Sequence, residues 1–361
     1  MSSRGVLLAA GGTGGHLFPA AALAAALVRR GVEVDLATDD RAQKYGGDFP
    51  ARAIHVIPSA TPTGAGIVSK ALAAATLGRG IVVSYALLRR LRPLAVVGFG
   101  GYPTVPPLVA ASLLRLPTIL HEQNAVIGRA NKFLAGRVNL IATGFPNLQG
   151  IDAAKLRYVG NPVRPQVLAA AQIPYPSLAD GRLKILVTGG SQGARVMADV
   201  VPAALALLSQ SERGRLKLTQ QARGEDLARV AAACARIEFP VDVAEFFPDL
   251  PARIAAAHLV IGRAGASTVS ELAVIGRPSI LVPFPHALDQ DQAANAAVLA
   301  ASGAATVIRQ SDFTPERLAA QLRSALADPA RMALAAAAAK AAGVSDAAER
   351  LADEALKLAA L

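Results

Sequence analysis

One local pattern occurs in each half of this chain, and it limits the folds that the chain can adopt. The apolar run 6–10 leads into the glycine-rich segment 11–16, and the run 184–188 leads into the glycine-rich segment 189–194. This order predicts a buried parallel strand, a tight turn and a helix. Glycines let the backbone approach a ligand, and the helix start attracts an anion such as phosphate. The duplication therefore predicts two facing nucleotide-binding domains with a ligand in the cleft between them.

The rest of the chain fits an α/β fold. Strand-like apolar runs alternate with helical stretches, such as one predicted over 193–209, and this alternation is typical of a doubly wound parallel sheet. A proline-rich stretch that begins at 160–165 predicts a linker. We therefore place the domains at 1–163 and 164–344. We expect a final helix, at about 345–361, to pack back on the first domain.

Composition excludes several classes of protein. The single cysteine, Cys234, rules out a disulfide framework. The uncharged span 93–114 carries four prolines and three glycines, too many for a lipid-exposed helix, so we predict no transmembrane segment there. Glycines and His16 interrupt the first apolar region, which argues against a signal peptide. We expect the protein to be made and kept in the cytoplasm.

The positive charge is concentrated in the first half. Residues 1–165 carry 18 Lys and Arg against 7 Asp and Glu, whereas residues 166–361 carry 19 of each class. A basic, acid-poor surface with apolar stretches fits an anionic membrane or a phosphorylated lipid, although the excess charge could also serve solubility alone. Aromatic residues make up only 4% of the chain and tryptophan is absent, and no nucleic-acid motif is visible, so we predict no nucleic-acid partner.

The segment 67–92 is the best candidate for membrane contact. A helix is predicted over 67–91. Across the whole segment, aliphatic residues and Tyr85 are mixed with five basic residues and no acidic residue. Basic amphipathic helices bind membrane surfaces. Core packing beneath a sheet is the alternative.

In open α/β sheets ligands bind at the carboxyl ends of the strands, so polar residues there are the leading site candidates. His16 follows the first glycine-rich turn, where a neutral imidazole can take a proton from a hydroxyl, although it could instead cap the helix. Glu122 and Asn124 follow a later strand. Asn124 can hydrogen-bond to sugar hydroxyls, whereas Glu122 could belong to a polar network that ties loops together. The glycine cluster 98–102 either admits a pyrophosphate or only turns the chain.

The second half contains a further strand, turn and helix start at 261–272. Its N–H groups can hold phosphate. Glu271, one helical turn further on, can bind a ribose diol, with a favourable position in the helix dipole as the alternative. Gln292 and Asn295 are three residues apart and share a helix face, which suits sugar hydroxyls.

Taken together, these motifs resemble the MurG family of UDP-N-acetylglucosamine transferases, which make lipid II from lipid I. The resemblance covers nearly the whole chain and is carried by GGTGGH at 11–16, GFGGYP at 98–103, HEQN at 121–124, GNPVR at 160–164, GGSQGA at 189–194, the stretch 263–271 and the helix with Gln292 and Asn295. It implies the GT-B fold, in which two doubly wound, Rossmann-like domains face each other across a cleft.

The resemblance also implies residues that bind the sugar nucleotide, UDP-GlcNAc. Arg164 and Ser191 would contact the nucleotide, and the main chain near Phe247 would meet the uracil. Glu271 would bind the ribose diol. The residues at the start of its helix would hold phosphate and ribose, and they are Ala266, Ser267, Thr268, Val269 and Ser270.

The remaining implied roles concern the transferred sugar and the acceptor. Asn124 and Gln292 would contact the N-acetylglucosamine, with Asn295 nearby. His16 would be the general base on the acceptor C4 hydroxyl, and Glu122 joins it as a catalytic candidate. The segment beside the donor and acceptor phosphates would consist of Thr13, Gly14 and Gly15.

The implied reaction is an inverting displacement of UDP by lipid I. It needs no cofactor, and the carboxylates Asp289 and Asp291 are weak grounds for a metal site, so we predict none. Family members often have His or Gln where this chain has Asp291, and some have tryptophans in their membrane patch that are absent here. The resemblance places the enzyme peripherally on the cytoplasmic face of the cell membrane, with cell-wall or division machinery as possible partners. The alternatives are a diacylglycerol glycosyltransferase, a UDP-sugar epimerase and a non-catalytic binding partner.

Overall fold

The computed structural model describes residues 5–11, 14–41, 49–61, 66–178, 181–190, 193–285 and 291–360. The chain divides into two compact units. The first unit comprises Met1–Arg164 and Ser345–Leu361, and the second comprises Pro165–Val344. Arg164, which the sequence analysis places in the second domain, therefore lies in the first unit.

The first unit is built on a parallel sheet. Its described strands are β1 Val6–Ala9, β2 Val34–Thr38, β3 Ala53–Val56, β4 Ala95–Gly98, β5 Thr118–Glu122, β6 Leu140–Thr143 and β7 Leu156–Tyr158. Their order in the sheet is β3-β2-β1-β4-β5-β6-β7, and every pair is parallel. The strand order reverses at β1, and the central strands are buried and apolar, as expected for strands covered on both faces.

Helices cover this sheet and include one from the far end of the chain. The described helices of the first unit are α1 Gly14–Arg29, α2 Ile67–Leu91, α3 Val105–Leu113, α4 Arg129–Ala135 and, after the second unit, α14 Ala347–Ala359. Helix α14 buries Leu351, Ala352 and Ala355 in the core that the first sheet shares with α1. Arg30, the residue that follows α1, forms ion pairs with both Glu349 and Asp353 of α14. The last helix therefore packs on the first unit.

The second unit repeats the architecture. Its described strands are β8 Leu183–Thr188, β9 Leu216–Gln221, β10 Val241–Ala244, β11 Leu259–Gly262, β12 Ser279–Leu281 and β13 Ala305–Val307. They form a parallel sheet of order β10-β9-β8-β11-β12-β13. The described helices are α5 Pro165–Ala170, α6 Arg195–Ala206, α7 Gln210–Gly214, α8 Gly224–Ala235, α9 Leu250–Ala256, α10 Ala266–Ile275, α11 Asp291–Ala301, α12 Pro315–Ala327 and α13 Pro329–Ala342. The predicted pair of doubly wound parallel sheets is confirmed.

The helix predicted over 193–209 was placed wrongly at both ends. It begins at Arg195, because Gly193 has a φ of +67° and its backbone cannot continue a right-handed helix. It ends at Ala206, and Ser209 starts a separate short helix by forming a capping box with Glu212.

Replacing Leu351 by Ala tests the packing of α14 on the first unit. Leu351 is fully buried, so the cavity should lower the free energy of unfolding of that unit by about 3 kcal/mol. Denaturant unfolding measures this change. Leu334→Ala is the matched control because Leu334 is 71% exposed, and it should change stability by less than about 0.5 kcal/mol. Equal effects of the two variants would contradict this packing.

Candidate active site

Two glycine turns of the first unit meet at the ring of His16. Helix α1 starts at Gly14, which places His16 in its first turn. A Cβ atom on Gly101 would lie 3.3 Å from Cε1 of His16, and a Cβ atom on Gly11 would lie 3.5 Å from its Nδ1. Gly101 also has a φ of +74°, a conformation that favours glycine. The cluster 98–102 therefore contacts the imidazole of His16 at the carboxyl edge of the sheet.

The surroundings of His16 keep its ring neutral. Burial lowers the pKa of His16 from 6.5 to about 4, and the positive charge of Arg41 lowers it further, against the opposing effect of Asp39. A neutral imidazole retains a lone pair that can accept a proton. His16 is only half-buried, so a substrate can still reach it.

Glu122 lies at the end of β5 and is buried. Its Oε1 accepts hydrogen bonds from the backbone N–H of Asn124 at 2.9 Å and from the side chain of Asn124 at 3.4 Å. Its Oε2 accepts from the backbone N–H of Gly128 at 3.0 Å and from Nδ2 of Asn131 at 2.7 Å. Burial raises the pKa of Glu122, and these donors oppose the rise. Both oxygens thus hold the loop that carries Asn124, a geometry that favours a positioning role over proton transfer.

The neighbours of Glu122 tie further loops together. Nε2 of His121 donates to the carbonyl of Gly160 at 3.0 Å when that nitrogen carries the proton, and burial lowers the pKa of His121 to about 4. Gln123 donates to the carbonyl of Phe99 at 2.7 Å. Asn161 donates to the carbonyl of Gln123 at 2.9 Å. The segment His-Glu-Gln therefore acts as a polar network, while Asn124 stays partly exposed at its edge.

Arg164 contacts the N-terminal part of helix α1. Its guanidinium stacks 4.4 Å from the ring centre of Phe18 in α1. The same ring covers Gly14, whereas none of the residues that the structure describes lies within 4 Å of a Cβ atom on Gly15. The sequence candidates Gly14, Gly15 and Arg164 thus lie close together. Thr13 lies outside the described residues.

In the second unit a glutamine holds the glycine turn that follows β8. Oε1 of Gln221 accepts from the hydroxyl of Thr188 at 2.8 Å and from the N–H of Gly189 at 3.1 Å. Its Nε2 donates to the carbonyls of Gly190 at 3.0 Å and Glu245 at 3.2 Å. Gln221 thus joins the carboxyl ends of β8, β9 and β10. Ser191 of this turn lies outside the described residues.

Gln221 is not among the site residues predicted from the sequence. Its signal was a polar pair, Gln220 and Gln221, at the carboxyl end of a strand. Polar residues at the carboxyl ends of other strands were chosen as site candidates, and the same criterion would have selected Gln221.

Helix α10 offers a start without a side-chain cap. Gly265 occupies the capping position and cannot supply a side-chain acceptor, so the first-turn N–H groups of Ala266, Ser267 and Thr268 have no intrahelical acceptor. Glu271 lies in the second turn and is buried. Since the helix dipole acts mainly within the first turn, a dipole role explains Glu271 poorly.

Gln292 and Asn295 hold the turn before α10. Oε1 of Gln292 accepts from the N–H groups of Ala264 at 3.3 Å and Phe284 at 3.0 Å. Nδ2 of Asn295 donates to the carbonyl of Ala264 at 3.2 Å, and Asn295 is fully buried. The geometry therefore gives Asn295 a positioning role in place of an exposed sugar contact. Asp291 accepts from the N–H of Gln292, and Asp289 lies outside the described residues.

The side chain of Phe247 is buried, with the guanidinium of Arg253 stacked 4.2 Å from its ring centre. Only its main chain is therefore suitable for contact with a base. The main-chain contact with uracil that the resemblance implies stays a prediction.

Two doubly wound units with glycine turns and an uncapped helix start are typical of the GT-B fold, and the family comparisons assign the chain to the glycosyltransferases of this fold. The model of the glycosyltransferase family 28 N-terminal domain matches residues 6–143, and that of the family 28 C-terminal domain matches residues 184–351. The crystal structure of Acinetobacter baumannii MurG superposes with a TM-score of 0.80 at 29% identity, covering 98% of this chain and 100% of that one.

Relatives at higher identity define the family more narrowly. The UDP-N-acetylglucosamine–N-acetylmuramyl-(pentapeptide) pyrophosphoryl-undecaprenol N-acetylglucosamine transferase of Methylobacterium sp. (strain 4-46) is 60% identical over 352 residues, which cover 96% of this chain and 95% of that protein. The protein of the same name from Brucella canis is 57% identical over 356 residues, with coverages of 98% and 94%. The chain belongs to this family of transferases within glycosyltransferase family 28, and the resemblance seen in its motifs is confirmed.

Replacing Gln221 by Leu tests whether its hydrogen bonds stabilise the turn after β8. Loss of the acceptor leaves the N–H of Gly189 without its bond, so amide exchange at Gly189 should rise by about tenfold. Gln220→Leu is the matched control, because Gln220 is also buried but donates to the carbonyl of Met197. Unchanged exchange at Gly189 in the Gln221 variant would contradict the assignment.

Proposed function

We propose that this chain transfers N-acetylglucosamine from UDP-GlcNAc to the C4 hydroxyl of MurNAc in undecaprenyl-pyrophosphoryl-MurNAc-pentapeptide, lipid I. The products are lipid II and UDP, and the reaction serves peptidoglycan synthesis. The proposal rests on membership of the family and on one observation above others, the neutral imidazole of His16 seated between two glycine turns. A group of this kind suits removal of a proton from a hydroxyl.

In this proposal the second unit binds the donor. The uncapped start of α10 and the turn after β8 hold the diphosphate, which matches the preference of such sites for anions. Glu271 accepts hydrogen bonds from the ribose diol, and the main chain at Phe247 meets the uracil. Gln292 contacts the sugar, and Ser191 remains a predicted nucleotide contact.

The first unit then supplies the acceptor side. Gly14 and Gly15, with Thr13, lie beside phosphate. Asn124, held in place by Glu122, contacts the transferred sugar, and Arg164 contacts the nucleotide.

The reaction proceeds by direct displacement. The acceptor C4 oxygen bonds to the anomeric carbon, the bond between that carbon and the β-phosphate oxygen breaks, and the hydroxyl proton passes to His16. The anomeric configuration inverts because attack and departure occur on opposite sides. Negative charge grows on the departing UDP, where the N–H groups of α10 stabilise it electrostatically.

The low pKa of His16 has a mechanistic consequence. A base with a pKa of about 4 binds a proton weakly, whereas general bases work best when their pKa is close to the working pH. An anionic pyrophosphate beside the ring favours the protonated form and raises the pKa. We therefore propose that binding of lipid I strengthens this base.

The direct test is transfer of labelled N-acetylglucosamine from UDP-GlcNAc to a lipid I analogue, with diacylglycerol as a parallel acceptor. We expect transfer to the lipid I analogue alone. Transfer only to diacylglycerol, or epimerisation of the donor without transfer, would overturn the proposal. Binding of UDP without turnover would favour a binding partner over an enzyme.

Replacing His16 by Ala should lower kcat by about 10²-fold to 10⁴-fold and leave UDP affinity unchanged, because the imidazole acts on the proton of the acceptor. The pH profile offers a second test. The working form of His16 is unprotonated, so kcat/KM should fall only as the pH drops towards about 4, the pKa of His16 in the free enzyme. Because bound lipid I raises this pKa in our proposal, kcat should fall at a higher pH. An unchanged kcat in the variant, or an acid limb of kcat/KM near pH 6.5, would contradict this role.

We propose a peripheral position on the cytoplasmic face of the membrane, with α2 as the contact surface. Among the described residues, α2 is the one helix long and apolar enough to cross a membrane by length and composition. It packs one face on the unit through Gly80, Ser84 and Leu88. Outside this packed face, Ile67 is 87% exposed and Val82 is 70% exposed. A half-packed helix that also carries basic residues suits binding in the membrane interface.

Replacing Val68 and Leu72 together by Ser tests this surface. Both side chains are exposed, so the protein should stay folded while binding to anionic vesicles weakens by about tenfold. Sedimentation with phosphatidylglycerol vesicles measures the change. Leu334→Ser, on an exposed position of the second unit, is the control. Equal binding of the double variant and the wild type would contradict the assignment of α2.

A further inference from the structure

Arg223 occupies a position that is unfavourable for an arginine. It is the N-cap residue of α8, with extended backbone and no side-chain capping hydrogen bond. Ser, Thr, Asp and Asn are preferred there because their oxygens accept from the first-turn N–H groups. A cation at a helix N-terminus also opposes the helix dipole. Local stability therefore gives no reason for arginine at this position.

The Arg223 side chain lies across the glycine turn that follows β8. A Cβ atom on Gly193 would lie 2.8 Å from Cγ of Arg223 and 3.8 Å from its Nε. That Nε is buried and has no hydrogen-bond partner among the described residues. Within the described part of the chain, the guanidinium forms one ion pair, a 3.6 Å contact with Glu225. Glu225 is 70% exposed, and exposed pairs of this kind contribute little.

A second arginine lies on the other side of the same turn. In the sheet order, β8 lies between β9 and β11. Arg223 follows β9 and Arg263 follows β11, so the two arginines flank the turn of β8 at the point where the strand order reverses. Ligands bind at this point in doubly wound sheets.

Arg263 is held in place by its neighbours. It donates to the carbonyls of Val282 at 3.0 Å and Pro283 at 3.2 Å, and to Oε1 of Gln310 at 2.6 Å. Burial lowers the pKa of Arg263, and the positive charge of Arg223 lowers it further. The two cations therefore repel each other across the turn, and an anion between them would relieve the repulsion.

We infer that Arg223 is a donor-binding residue that contacts the diphosphate of the nucleotide sugar. The inference rests on the proposed function, because that function supplies the diphosphate. A guanidinium suits phosphate oxygens by charge and by its planar arrangement of N–H donors. The helix start of α8 is less stable as a consequence, and the ligand provides the missing negative charge.

The test compares UDP and uridine binding to the full-length chain by calorimetry. Arg223→Ser should weaken UDP binding by about tenfold while leaving uridine binding unchanged, because only UDP carries phosphate. Arg223→Lys should retain part of the UDP affinity. Because serine caps the helix, Arg223→Ser should also raise Tm by about 2 °C. A purely structural role for Arg223 would lower Tm.

Arg236→Ser is the matched control, since Arg236 is the exposed C-cap residue of the same helix and the change in charge is identical. It should leave UDP affinity unchanged. Equal UDP affinity of wild type and Arg223→Ser, or equal loss of UDP and uridine binding, would overturn the inference alone. Failure of the wild type to bind UDP would instead overturn the proposed function, and this inference with it.

Discussion

Hydrogen bonds between polar side chains and the backbone of glycine-rich turns are the interaction on which the candidate donor-binding turns of the second unit depend. A glycine turn has no side chains of its own to fix its shape, and its backbone groups must find partners elsewhere. Gln221 provides them after β8, and Gln292 and Asn295 provide them before α10. The N–H groups left available can then bind an anion without reorganisation.

The first unit uses the same device for a different purpose. Both carboxylate oxygens of Glu122 accept hydrogen bonds from the loop between Asn124 and Asn131. His121 and Gln123 connect that loop to its neighbours. These hydrogen bonds restrict the backbone of the loops that they join. His16 contacts the glycine turns at Gly11 and Gly101 of the same unit, and its burial keeps the imidazole neutral.

The elements of this fold were predictable because they depend on local patterns. Helix α2 was predicted at its observed bounds, and the apolar runs gave the parallel strands, since both follow from hydrophobic periodicity. The start of α6 was not predictable from periodicity, because it is set by the positive φ of Gly193. The roles of Gln221 and Arg223 depend on partners that are distant in sequence, and the role of Glu122 depends on how the loop that follows it folds. Only the folded chain brings these partners together, so their residue types alone could not reveal them.

The most direct measurement is a crystal structure of the chain with UDP-GlcNAc. The account predicts that the diphosphate lies within hydrogen-bond distance of the N–H groups at Ala266, Ser267 and Thr268, beside the turn after β8. Glu271 should lie on the ribose diol. A diphosphate bound instead at the turn after β1, with the start of α10 empty, would contradict the assignment of the second unit as the donor-binding half.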